Sequence, residues 1–103
     1  MSCGETIRGA VYVAVAPPFA KIGLTVCSAD DAEWAVARRV KKLSKGVPLP
    51  LKLAHFVHVE DCPGVEADLL QKFDKQRVIG EWIKAPRAVV VRELKRLALE
   101  PRE

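Results

Sequence analysis

Cysteines and aromatics are scarce in this chain: three cysteines, one tyrosine, three phenylalanines and two tryptophans in 103 residues. Cys3, Cys27 and Cys62 are odd in number and far apart. They therefore suit neither a disulfide framework nor a zinc site, which wants closely spaced ligand pairs, and reduced thiols are the expectation. No apolar run approaches the roughly 20 residues of a membrane span. The segment from Met1 to Arg8 carries Glu5 and lacks the apolar core of a signal peptide, so a cytoplasmic protein with no membrane association is expected. There is no internal repeat and no low-complexity tract. The two histidines, His55 and His58, stand three apart in a strand-like stretch, hence on opposite faces, where they cannot share a metal.

Half the residues are hydrophobic and 29% are charged, the balance of one ordinary globular domain. A chain of this length buries roughly 60–70% of its unfolded surface. The net charge of +4 leans mildly towards polyanions, and the lean is local: Arg38, Arg39, Lys41, Lys42 and Lys45 fall within eight residues. Such a run reads either as a solvated helix face or as a phosphate-contacting one.

The order of elements follows from pattern. Ala10 to Ala16 is β-branched, aromatic and small, Pro17-Pro18 stops it, and Ala20 to Val26 resumes an extended pattern, so a β-hairpin is expected. Val11, Val13 and Val15 share one face of its first strand, which sends Tyr12 to the other with Ala14 and Ala16. Ser28 and Asp31 offer a helix start, Trp34 to Ser44 continues it, and Gly46 with Pro48 ends it. Leu51 to Val59 reads as a third strand. Asp61 with Pro63 opens a helix over about residues 64–75. Residues 77–84 connect, and Pro86 starts a last helix with Val89, Val90, Leu94 and Leu97 towards the core. This is an α+β domain, a small antiparallel or mixed sheet covered by helices.

One residue breaks the pattern. On the wheel of the second helix Val65, Leu69, Leu70 and Phe73 form the apolar stripe, and Glu66 points into its middle. A core-facing carboxylate must be paired, neutralised or bound to a cation. It is thus a structural ion-pair partner, for Arg39 or Arg77, or a metal ligand. Arg39 borders the apolar side of the first helix beside Leu43, where its stem covers apolar surface. Tyr12, Lys21, Arg39 and Glu66 together supply what phosphodiester hydrolysis needs. An arginine matches phosphate oxygens, a carboxylate holds a divalent ion, and a phenol or amine helps deprotonate water. A single glutamate suffices for Mg²⁺, which keeps several waters and borrows oxygens from substrate phosphate. Trp34 and Trp82 read as packing residues, with base stacking as the alternative.

Val11-Tyr12-Val13, Lys21-Ile22-Gly23, an arginine in the following helix and a glutamate in a later one resemble the GIY-YIG nuclease superfamily. The likeness is to small phage- and bacterial-type domains with a KIG second motif. It continues through Glu66, Leu69, Phe73, Arg77 and Gly80-Glu81-Trp82 and covers residues 9–84. It implies an α+β fold with a small three-stranded antiparallel sheet flanked by helices, a core over 9–84 and a C-terminal helix over 86–99. The resemblance implies an endonuclease with Tyr12 as general base or water-orienting group and Lys21 in place of the second-motif tyrosine. It also implies Arg39 on the scissile phosphate and Glu66 as the ligand of Mg²⁺ or Mn²⁺. Gly23 stands where the family keeps a glycine. Ala10-Val11 replaces Gly-Ile, and Leu70 replaces a histidine found in this branch. DNA is the implied partner, with Lys41, Lys42, Lys45 and Arg77 as phosphate contacts and targeting left to a separate protein or to self-association. Two other readings stand beside it: a DNA-binding module of the same fold without turnover, and a protein-interaction domain in which Glu66 only braces an arginine.

Overall fold

The computed structural model describes residues 6–46 and 50–99. Strands β1 (Gly9–Ala16) and β2 (Phe19–Val26) form the expected hairpin around Pro17-Pro18 and pair antiparallel, with Tyr12 opposite Gly23 and Ala14 opposite Lys21. Helix α1 (Ala32–Ser44) follows, then β3 (Lys52–Val59) and helix α2 (Cys62–Lys72). A single 3-10 turn (Asp74–Gln76), the short strands β4 (Arg77–Ile79) and β5 (Trp82–Ile83), and helix α3 (Arg87–Leu99) complete the chain. Pro48, read as a helix terminator, lies outside the described residues, as does Cys3; Cys27 and Cys62 are free thiols.

The sheet has five antiparallel strands in the order β3-β1-β2-β5-β4, which corrects the expected three. The two additional strands come from residues 77–84, whose five strand residues are too few to show an alternation. They become strands through long-range pairing, Ala20 with Ile83 and Lys21 with Trp82. Gly80, at φ +55°, supplies the left-handed residue that turns β4 into β5. Helix α2 also stops earlier than read from sequence, at Lys72, because Phe73 turns into the core and its N–H bonds back to the Leu69 and Leu70 carbonyls.

Both sheet faces are covered. Val11, Val13, Ile22 and Ile83 pack against Val65 and Leu69 of α2 and Val90, Leu94 and Leu97 of α3. On the opposite face Ala10, Tyr12, Ala14 and Ala16 meet Ala32, Val36 and Val40 of α1. The alanines matter: small side chains on β1 leave room for one large ring, Tyr12, under α1. Capping is local and legible. The Ser28 hydroxyl accepts from the Asp31 N–H at 3.3 Å, and the Asp61 carboxylate accepts from the Gly64 N–H at 3.2 Å with Pro63 in the first turn of α2. His55 and His58 do face opposite sides; His58 Nε2 lies 2.8 Å from the Cys27 carbonyl.

Candidate active site

The site forms where the sheet is incomplete. Strand β5 pairs with β2 only at Ala20 and Lys21, and the Ile22 N–H donates to the Glu81 carbonyl at 3.1 Å. From Gly23 onward the described residues give β2 no strand partner on that side. At this gap a side chain from the α2 layer comes within range of side chains on the α1 face.

Tyr12 is the fixed point. Its side chain is buried at 1% exposure. The ring lies across the strand on Gly23, where an added Cβ would meet the Tyr12 hydroxyl and come within 2.5 Å of Cζ. Glycine is required there by this close approach. Arg39, one turn before Leu43 on α1, is close enough to act electrostatically on the Tyr12 hydroxyl. Burial raises the Tyr12 pKa above its ordinary 10, and Arg39 pulls against that rise. At neutral pH the group is a phenol, able to donate and accept a hydrogen bond.

Glu66 does not sit in the core. The buried residues of α2 are Cys62, Val65 and Leu69, and Glu66 is half-buried on the flank. The wheel placed it by angle alone, whereas the sheet edge opens a gap beside that angle. Its charged neighbours are Glu81 and Lys21. Burial first, and then the negative charge and hydrogen-bonding proximity of Glu81, push its pKa from 4.5 up to about 7, against the pull of Lys21. Arg39 and Arg77, the arginines expected to brace Glu66, are engaged elsewhere, Arg39 at Tyr12 and Arg77 at the Gly80 carbonyl (3.0 Å) and Asp74 (3.5 Å).

Lys21 joins the group from β2. Its ammonium forms an ion pair with Glu81 at 3.1 Å and stands 5.7 Å from the centre of the Trp82 ring, at 14% side-chain exposure. Glu81 is the residue that sequence reasoning passed over. It was read as part of a Gly-Glu-Trp ending and given no role, yet its field reaches both Glu66 and Tyr12. The signal was available in part: a glutamate between a turn glycine and a tryptophan that returns the chain to the sheet is placed at an edge.

Of the four predicted residues, Tyr12 is influenced by Arg39 and Glu66, and Glu66 by Lys21, although they come from four elements. Arg77 is not drawn in; it braces the turn that carries Glu81. Lys41, Lys42 and Lys45 are exposed on α1 and away from the cluster's interior. Trp82 packs at the site's wall, but Trp34 is 64% exposed, against the expectation of packing. Leu70, one turn along α2 from Glu66, packs on the apolar cluster and adds no polar group.

A hard divalent cation fits the donor set. Two carboxyls within hydrogen-bonding reach of each other, one of them resisting ionisation, are a site that a proton or a cation relieves. No group of three or more His, Cys, Asp or Glu side chains assembles among the described residues, so protein ligation is limited to Glu66 with Glu81 beside it. Comparison with protein-family models, with curated proteins and with solved structures finds no match for this chain.

Proposed function

We propose that this protein is a metal-dependent endonuclease that hydrolyses phosphodiester bonds of DNA in the manner of GIY-YIG nucleases. The observation that carries the reading is that Tyr12 feels both Arg39 and Glu66, and Glu66 feels Lys21, so that the four are linked in series through Tyr12 and Glu66. A structural ion pair needs two of these residues; phosphodiester chemistry uses all four.

Arg39 offers its guanidinium to the phosphate oxygens, in the planar geometry that suits them. Tyr12, under the influence of Arg39, offers its hydroxyl to the attacking water or to a phosphate oxygen. Lys21 keeps Glu81 at the site and adds positive charge where the phosphorane oxygens develop negative charge. Glu66, assisted by Glu81, would hold Mg²⁺ or Mn²⁺. The ion supplies a polarised phosphate, a stabilised leaving oxygen and a lowered pKa for bound water. Exposed Lys41, Lys42 and Lys45 add phosphate contacts outside the chemistry.

Leu70 favours a second reading, a DNA-binding module of the same fold without turnover, because the turn after Glu66 supplies no proton-transferring group. One assay separates the two. Supercoiled and branched DNA is incubated with Mg²⁺ or Mn²⁺, beside Glu66→Ala protein and an EDTA control. Nicking abolished by both controls is the expected result. DNA bound by every preparation but cut by none would overturn the nuclease and leave the module.

A further inference from the structure

The outer face of α1 holds a feature that the cleavage chemistry leaves unused. Trp34, Arg38, Lys41 and Lys45 recur at helical spacing and fall within a stripe about 60° wide, opposite buried Val36 and Val40. Trp34 is 64% exposed, and the Arg38 guanidinium lies over its ring, 5.2 Å from the centre. Residues 32–45 hold five cations and one anion, Glu33, which equals the whole chain's net charge of +4. Outside residues 32–45 the charges cancel in sum, so the excess of positive charge is concentrated on this helix and its C-cap, with three of the five cations on the stripe.

We infer that this face of α1 binds a single-stranded segment of DNA, with Trp34 stacking an unpaired base and Arg38, Lys41 and Lys45 following the phosphates. Charge and ring both point to this occupant. A second copy of the chain would set like charges against each other. Smooth duplex would satisfy the lysines but leave an indole facing a sugar-phosphate ridge with no base to stack on. Unpaired bases present π-faces next to phosphates, the combination that an aromatic beside cations recognises. Lys42 and then Arg39 lie progressively round the helix from the stripe, so a strand held on it is led towards Tyr12. This inference extends the nuclease reading by naming its substrate as DNA with an unpaired strand beside the cleaved bond.

The test reads binding in protein that cannot cut. A Glu66→Gln, Trp82→Phe variant leaves Trp34 as the sole tryptophan. It is titrated into end-labelled 20-nucleotide oligothymidylate, an abasic oligomer of the same length and a duplex, with affinity read from label anisotropy for every variant and Trp34 fluorescence followed alongside where Trp34 is present. The expected result is saturable quenching of Trp34 fluorescence by oligothymidylate alone. Affinity for it should fall about tenfold or more in Trp34→Ala and less in Trp34→Phe, while affinity for the abasic oligomer stays unchanged. Equal binding of the oligothymidylate and the abasic oligomer, unaffected by Trp34→Ala, would overturn the stacking surface and reduce α1 to a charged face. The two readings fail separately. Cleavage by wild type without the Trp34 effect refutes only the surface, whereas the Trp34 effect with no cleavage under any metal supports the surface and refutes the nuclease.

Discussion

Replacing Glu66 by glutamine should make the protein more stable at pH 7.5 and leave it unchanged near pH 4.5. The unfolded carboxyl titrates near 4.5 and the folded one at about 7. Between these values the folded state holds the extra proton, so wild-type stability falls as pH rises through this window. A glutamine keeps the shape and a hydrogen bond to Glu81 without the charge. The full difference in proton affinity corresponds to about 3 kcal/mol at about 1.36 kcal/mol per tenfold. Partial solvent access and rearrangement of Glu81 reduce this to about 1–2 kcal/mol. The assay is urea denaturation of both proteins from pH 4.5 to 8, followed by tryptophan fluorescence. Other carboxylates titrate in both proteins, so the difference between the two curves isolates Glu66. That difference should open between pH 5 and 7 and then level off. Added Mg²⁺ at pH 7.5 should restore wild-type stability, by about 2.7 kcal/mol at a hundredfold excess over its Kd, and leave the glutamine variant unmoved. Parallel curves across the whole range would refute the electrostatic picture of the site.

Gly23→Ala forces a Cβ against the confined Tyr12 ring and should cost about 1–3 kcal/mol, lowering Tm by roughly 5–20 °C; an unchanged melt would remove the close approach as the reason for glycine. Tyr12→Phe keeps the buried ring and should change stability by about 1 kcal/mol or less while slowing DNA nicking by about a hundredfold or more, so nicking at the wild-type rate would dismiss the hydroxyl from the chemistry. Lys21→Met retains an aliphatic stem beside Trp82 but removes the cation that opposes the rise at Glu66; carboxyl NMR should show Glu66 titrating at still higher pH than in wild type. Changing Lys42 to glutamine should lower the slope of log affinity against log salt by about one without altering preference among DNA sequences, whereas an unchanged slope would mean that this lysine meets no phosphate.

The hairpin, the two helix starts and the last helix were legible because their causes are local. Pro17-Pro18 interrupts an apolar run, Ser28 closes the turn that leads to Asp31 and α1, Asp61 caps α2, and Val90, Leu94 and Leu97 recur at helical spacing. Tyr12 was placed correctly on the face away from Val11 and Val13, since strand alternation is a property of the backbone. The same local rules predicted a burial for Trp34 that did not occur. Residue type alone favours packing, but Trp34 stands opposite Val36 and Val40 on α1, and the helix turns that side to solvent.

The amino-acid sequence by itself determined which strand or helix Tyr12, Lys21, Arg39 and Glu66 each occupy. Only the tertiary structure decided what those residues do to each other. Strands β4 and β5 exist because a neighbour accepts their hydrogen bonds, and no periodicity over five residues encodes that. The turn between them delivers Glu81 to Lys21 and Glu66, 60 and 15 positions away in the chain. Burial raises the Glu66 pKa, and that arrival adds an acidic neighbour that raises it further where an arginine would have lowered it. A charge's sign and spacing can be read along a chain, but its field depends on distance through space and on how much water is excluded, which only the folded sheet edge sets.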